Sequence, residues 1–274
     1  MGYEKSVQEA FEKIKERSRP KPWRDVCRLP WHEEEFSRFF LEAEELPPET
    51  GIEEAHFIVN HLNGSSLLEL GCGGGRTAKA LMERCSGLHL VGLDVGRHPL
   101  LVAQKRCPKG EFLRADMLAL PFSSSSFDLI FCVYGAFLGF RRQEATSILR
   151  STKKTLKKGG TFILEFPSPN FLANLNGLQE WWVSDKSFAG HFPQVGLSEN
   201  IHLPNRQVYI RRDFVVDLRD GSLAKYGQTN CLYDEFELRN LLERAGFTIE
   251  AIYGDWDCSP FNEDSERLIA ISVR

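Results

Sequence analysis

The chain has 274 residues and a net charge of −4, with 42% hydrophobic and 26% charged residues, ordinary values for a globular protein with a real core. The charge balance lacks the strongly basic footprint of nucleic-acid binding. No uninterrupted apolar run is long enough to span a bilayer, and the charged residues after Met1 leave no room for the apolar stretch of a signal peptide. The seven cysteines are odd in number, scattered and without a C-x-x-C pair, so they read as reduced thiols of a cytoplasmic protein, mostly packed in its core.

Residues 3–18 suggest a charged surface helix ended by Pro20 and Pro22, and Trp31 to Leu41 a second segment stopped by Pro47 and Pro48. From Ile52 the apolar residues Ile52, Ala55, Val59 and Leu62 repeat at helical spacing, and Asn63-Gly64 closes the helix. Ser66 to Leu70 is a short buried strand that runs into a glycine-rich turn. The next helix has the stripe Ala78, Leu81, Met82 and Cys85. Leu88 to Leu93 is a second strand, Pro99 to Arg106 a helix and Glu111 to Arg114 a third strand. Ser123 to Ser126 reads as a turn. Phe127 to Tyr134 is nearly all apolar, as suits a central parallel strand covered on both faces. Ala145, Ile148, Leu149, Thr152 and Leu156 mark a helix that Gly159-Gly160 ends, and Thr161 to Phe166 is the fifth strand.

The alternation breaks at Pro167. Short strand-like runs follow, among them Gln207 to Ile210 and Phe214 to Leu218. It resumes at Asp234, which caps a helix with Glu237 three positions on and Gly246 as its stop; Phe247 to Tyr253 and Arg267 to Val273 then form two strands, close enough to pair antiparallel. The expected fold is α/β: a doubly wound, mostly parallel seven-stranded sheet, Rossmann-like, with an inserted small antiparallel β subdomain. It divides into an N-terminal helical extension (1–50), a core (51–166), an insertion (167–230) and the C-terminal part of the core (231–274).

The informative stretch is Glu69-Leu-Gly71-Cys-Gly73-Gly-Gly75-Arg76, placed where a strand turns into a helix. Glycines there let the backbone turn tightly and approach a ligand. A dinucleotide loop would carry its third glycine where this chain has Arg76 and would face a pyrophosphate, which Glu69 suits badly. An acid at that place suits a ligand with an amino group and a sulfonium. Asp94 ends the second strand, where an acid can accept both hydroxyls of a ribose, and the carboxylate of Asp116, after the third strand, can accept from an adenine amine.

Taken together, Glu69 to Gly75, Asp94, Asp116-Met117, the strand from Phe127 and Leu156-Lys-Lys-Gly-Gly160 resemble the successive motifs of class I S-adenosylmethionine-dependent methyltransferases. The ending, from Tyr233 through Gly246-Phe247 and Tyr253-Gly254-Asp255-Trp256 to Arg267-Leu268, is similar to small-molecule enzymes of that group, and Trp31-His-x-x-x-Phe36-Ser37 looks like a feature found before the core in some of them. The resemblance implies S-adenosylmethionine as cofactor, leaving as S-adenosylhomocysteine. It implies that Glu69 and the loop Gly71, Cys72, Gly73 and Gly75 hold the methionine part. Asp94 would bind ribose and Val95 pack on adenine. Asp116 and Met117 would read the adenine edge, and Cys132 and Val133 line the donor site.

On the acceptor side the candidates are Tyr134, Phe137, Glu165, Trp181, Trp182, His191, Arg211 and Tyr226, with His191 and Tyr134 as the candidate catalytic pair. Against those roles stand plain packing for Tyr134, Phe137 and His191, and subdomain core or a dimer contact for Trp181-Trp182. No His or Cys cluster points to a metal. The Asx/Ser-Pro-Pro-aromatic motif that resembles nucleobase and glutamine amino-methyltransferases is absent after the fourth strand. A small-molecule acceptor is therefore expected, and nucleic acid and membrane are not. RNA or protein methylation and a silent cofactor-binding scaffold are the alternatives. The insertion is expected to roof the acceptor pocket, and the same surface, 167–230, is where a homodimer would pair.

Overall fold

The computed structural model describes residues 50–184 and 193–274. The expected N-terminal extension and His191 lie outside these residues. The first described helix, α1 (Thr50–Asn60), leads into β1 (Ser66–Leu70), α2 (Arg76–Arg84), β2 (His89–Asp94), α3 (Arg97–Arg106) and β3 (Glu111–Arg114). Then come β4 (Phe127–Cys132), α4 (Arg142–Thr155), β5 (Leu156–Pro167) and α5 (Pro169–Asn174), with short 3₁₀ turns at Met117–Ala119 and Ala136–Gly139. Four strands, β6 (Gln179–Ser184), β7 (Gln194–Leu203), β8 (Val208–Asp217) and β9 (Leu223–Cys231), precede α6 (Glu235–Ala245), β10 (Thr248–Tyr253) and β11 (Arg267–Val273).

Seven strands form one sheet in the order β10-β11-β5-β4-β1-β2-β3, parallel except where β11 runs antiparallel between β5 and β10. β6 to β9 form a separate antiparallel meander. The fold is thus the expected doubly wound sheet with an antiparallel insertion. Order reverses between β1 and β4, the switch point at which open α/β sheets bind ligands beyond their strand ends.

The continuous apolar strands follow from burial on both faces. Leu67, Leu129, Phe131, Ile163, Ile269 and Ile271 pack on one side with Ala55 and Ile58 of α1 and Ala78 and Leu81 of α2. Their neighbours Leu68, Ile130, Cys132, Phe162, Leu164 and Ala270 pack on the other with Ile148 and Leu149 of α4 and Leu238 and Leu242 of α6. Asp234 caps α6 by accepting from the Glu237 N–H, and Gly246 ends it in the left-handed conformation.

Three boundaries differ from the sequence reading. Leu156 opens β5 instead of closing α4, because it pairs with Phe127 at the start of β4, and a register shift there absorbs Lys157 to Gly160. β4 stops at Cys132, so Tyr134 lies outside the strand. The two short runs expected near 207–218 are a single strand, β8.

Candidate active site

The loop after β1 is built from backbone constraints. The Gly71 and Cys72 N–H groups both donate to the Leu93 carbonyl, at 2.8 and 3.0 Å, which ties the loop to the end of β2. Gly71, Gly73 and Gly75 all have positive φ (73°, 50° and 71°), so the alternating glycines occupy three left-handed positions. A Cβ at Gly71 would stand 2.8 Å from that of Ala136, and one at Gly75 3.0 Å from the Ala103 Cα; these two also secure close packing. A Cβ at Gly73 would meet nothing within 4 Å, so that face of the loop is open for a ligand.

Glu69 lies at the foot of this loop and is buried. Its Oε2 has no hydrogen-bond partner, although buried polar atoms are nearly always paired. Burial, reinforced by nearby Glu54 and Asp94 and opposed by Arg76, pushes its pKa up to about 8. Such a carboxyl is a seat for a cationic donor, which would restore its charge and fill its vacant acceptor.

Asp94 faces the same loop from β2. Its Oδ2 accepts the Gly73 N–H at 2.9 Å and its Oδ1 the Gly96 N–H at 2.8 Å. Burial raises its pKa, and these amides work against the rise. The Val95 amide adds to them, and the carboxylate keeps some acceptor capacity beyond these bonds. Asp116, after β3, caps the turn that begins at Met117 by accepting the Leu118 N–H at 2.9 Å. Met117 is buried, while Val95 is partly exposed. The Cys132 side chain is a core group, its thiol pushed up by burial, and Val133 is also buried. Thus Glu69, Asp94 and the glycine loop converge, and Asp116-Met117 follows the neighbouring strand.

Tyr134 is half exposed and has a φ of 62°, a conformation in which L-residues other than glycine, Asn and Asp are uncommon. Its N–H donates to Glu165 Oε2 at 2.5 Å, and its ring lies 5.2 Å from the Arg76 guanidinium carbon. Arg76 in turn pairs with the buried Glu54 at 2.7 Å, whose other oxygen accepts from Thr77 Oγ1. Glu165 is buried on β5. Burial and Glu54 push its pKa up to about 7 against the Tyr134 amide, Arg267 and Arg76.

Glu54 was not singled out in the sequence. The available signal is a charged residue three and four positions before Phe57 and Ile58, on the buried side of α1. Arg76 entered only as the residue that spoils a dinucleotide loop. Arg267 stands 4.0 Å from Glu165 and entered only as part of the C-terminal resemblance, with no role given to it.

The meander reaches the core through one end. β9 lies against the Ala136–Gly139 turn. Tyr209 packs in the same cluster as Phe137, Leu172 and Tyr233, and its hydroxyl bonds to the Asn200 side chain. Asn200 and Arg211 share a register position, as do Ser198 and Asp213, and Ser198 Oγ donates to Asp213 Oδ1 at 2.6 Å. Trp181, by contrast, is mostly exposed on edge strand β6. Among the described residues no His/Cys/Asp/Glu group is arranged to hold a metal, and no helix is long and apolar enough to cross a membrane.

A family model described as a methyltransferase domain matches residues 67–160. A demethylmenaquinone methyltransferase of Thermotoga maritima is 35% identical over 114 residues, covering 41% of this chain and 48% of the relative. The chain therefore spans about half the length of that curated relative. Among solved structures, the CcbJ methyltransferase of Streptomyces caelestis aligns with a TM-score of 0.70 at 18% identity, over 85% of this chain and 97% of that one. A sugar N-methyltransferase of Streptoalloteichus aligns with a TM-score of 0.65 at 18% identity, over 86% and 91%. At such identities the two structures establish the fold.

Proposed function

We propose that this chain, a member of the class I S-adenosylmethionine-dependent methyltransferases, carries a methyl group from that cofactor to a small-molecule acceptor by in-line displacement. The observation that carries the reading is Glu69: a buried carboxyl whose Oε2 has no partner, at the foot of an open glycine loop, of the kind an ammonium group would satisfy.

The residues fit the cofactor. Glu69 with Gly71, Cys72, Gly73 and Gly75 would hold its methionine part. Asp94, already held by backbone amides, would accept from the ribose hydroxyls. Val95 would pack on adenine, Asp116 and Met117 would read its edge, and the chain at Cys132 and Val133 would close the donor side. S-adenosylmethionine supplies an electrophilic methyl on a positively charged sulfur.

The protein's task is then to align the acceptor and keep water out, which supplies much of the rate in displacements of this kind. Tyr134 stands on the acceptor side, next to the glycine-loop helix through Arg76. The Tyr209 end of the meander, packed on the turn after β4, supports a role for the insertion as the wall that selects the acceptor. The Thermotoga relative is described as a demethylmenaquinone methyltransferase, which favours a small acceptor here. His191 is retained as a second catalytic candidate.

Titration calorimetry with S-adenosylhomocysteine, together with a screen of metabolite pools and RNA using labelled methyl donor, tests the reading. Binding of S-adenosylhomocysteine and label in a small molecule are expected. Binding of NAD in its place would refute the cofactor, and label in RNA alone would refute the acceptor class.

A further inference from the structure

We propose that Glu165 is a positioning residue of the acceptor side: its carboxylate latches Tyr134 in the left-handed conformation and so fixes the tyrosine ring against Arg76 beside the glycine loop. This deepens the methyl-transfer reading and rests on it.

The geometry has three parts. First, Tyr134 and Gly135 hold consecutive left-handed conformations, with φ of 62° and 69°, directly after β4. Gly135 adopts this freely, whereas a tyrosine there is strained and needs something to hold it. Second, the holder is visible: the Tyr134 N–H donates to Glu165 Oε2 at 2.5 Å, a charge-assisted bond to a side chain that is 4% exposed. Third, the strained turn has a purpose in space. It turns the half-exposed Tyr134 ring under Arg76, which also pairs with the buried Glu54. The chain of contacts Glu54–Arg76–Tyr134–Glu165–Arg267 thereby joins α1, the glycine-loop helix α2, the end of β4, β5 and β11.

The charged and titratable groups that face Glu165 are Glu54 from α1, Arg76 from α2, Arg267 from β11 and Cys132 from β4. The first raises its proton affinity and the two arginines lower it. A proton on Glu165 weakens the bond to the Tyr134 amide, so the latch loosens on the acid side of neutrality.

The test uses the full chain and four variants: Glu165→Ala, Glu165→Gln, Tyr134→Gly and the double variant E165A/Y134G. Six tyrosines make ¹⁵N-tyrosine labelling tractable. The Tyr134 amide should resonate far downfield, titrate near pH 7, and lose both properties in Glu165→Ala. In kinetics, Glu165→Ala should lower kcat or raise the acceptor KM by about 10- to 100-fold, the cost of a misplaced wall. S-adenosylhomocysteine affinity should stay within about threefold, since the donor contacts remain. Glu165→Gln still accepts the amide and should keep most activity, without the acid limb of the pH profile. In the Tyr134→Gly background, adding Glu165→Ala should cost less than about twofold, because residues acting through each other are not additive. An amide that ignores Glu165→Ala, or losses that simply multiply, would overturn the latch. A wild-type chain that binds no S-adenosylhomocysteine would overturn the methyl-transfer reading instead, and the amide titration would still decide whether Glu165 holds Tyr134.

Discussion

At Asp94 one carboxylate is asked to do two things. It accepts from Gly73 and Gly96 and, in the proposed reading, from the ribose. Asp94→Ala should therefore weaken S-adenosylhomocysteine binding by about 1.5–3 kcal/mol, the cost of losing charge-assisted bonds and leaving buried amides unpaired. Asp94→Asn, which keeps one acceptor, should fall between. Calorimetry on the three proteins checks this, and equal affinities would remove Asp94 from the site. Glu69 makes a different prediction. Its raised pKa means that the free protein carries a proton there at neutral pH, so an arriving ammonium should expel it. Binding at pH 7 measured in buffers of different ionisation enthalpy should show proton release, and Glu69→Gln should abolish the Glu69 share. The sequence made these two residues legible because each lies in the last two positions of a strand beside the glycine loop. It could not reveal the pairing of Arg76 with Glu54 or of Tyr134 with Glu165. Such pairs lie on different elements, and no local periodicity encodes which side chains meet.

Among elements, the opposite end of the sheet offers a contrast. Asp128, in β4, accepts from the Ser65 and Ser66 amides, the Ser66 hydroxyl and Lys157, and so clamps the starts of β1 and β5 onto β4. Burial alone would raise its pKa, but the bonds from Ser66, Lys157 and Ser65 outweigh it and hold the carboxyl well below the usual range. Asp128→Ala should cost about 2–3 kcal/mol of stability, the range for losing hydrogen bonds to a charged group. Cofactor affinity should be unchanged, because the site sits at the other strand ends. Urea melts and calorimetry on one preparation separate the two effects. The seven-stranded sheet was readable because its central strands are apolar on both faces. The meander was readable as a kind but not in its bounds. β7, β8 and β9 bury Ser198, Asn200, Arg212, Thr229 and Asn230, so polar residues interrupt the pattern that would mark their full length. Leu156 misled because it lies four positions after Thr152 on the stripe of α4, yet pairs with Phe127.

For the molecule as a whole, the buried acids near the loop set a pH dependence. Glu69 and Glu165 have pKa values raised from 4.5 to about 8 and about 7. Between pH 4.5 and 8 the native state thus binds more protons than the unfolded chain, and stability falls as pH rises through that window. The ligand-free protein should melt at a higher temperature near pH 5 than near pH 8, provided the Asp128 clamp, which needs the charged form, is intact in both. The double variant E69Q/E165Q should flatten the curve, as scanning calorimetry would show. A wild-type melting temperature that climbs from pH 5 to 8 would mean these carboxyls are ionised in the native state.

The position of β11 has a consequence for how the chain assembles. β1 to β4 join neighbours made within a short stretch of chain, but β11 must slot between β5 and β10, and Ser272 meets Phe162 across 110 residues of sequence. Closing so long a loop is slow, whereas the local βα units gain their contacts early. The half that carries the glycine loop should therefore become ordered first. The strand that carries Arg267 to Glu165 should arrive late, so the proposed acceptor side matures after the proposed donor side. Pulse-labelled hydrogen exchange during refolding should record that order as early protection at Leu68 and Val91 and late protection at Ile269 and Ile271.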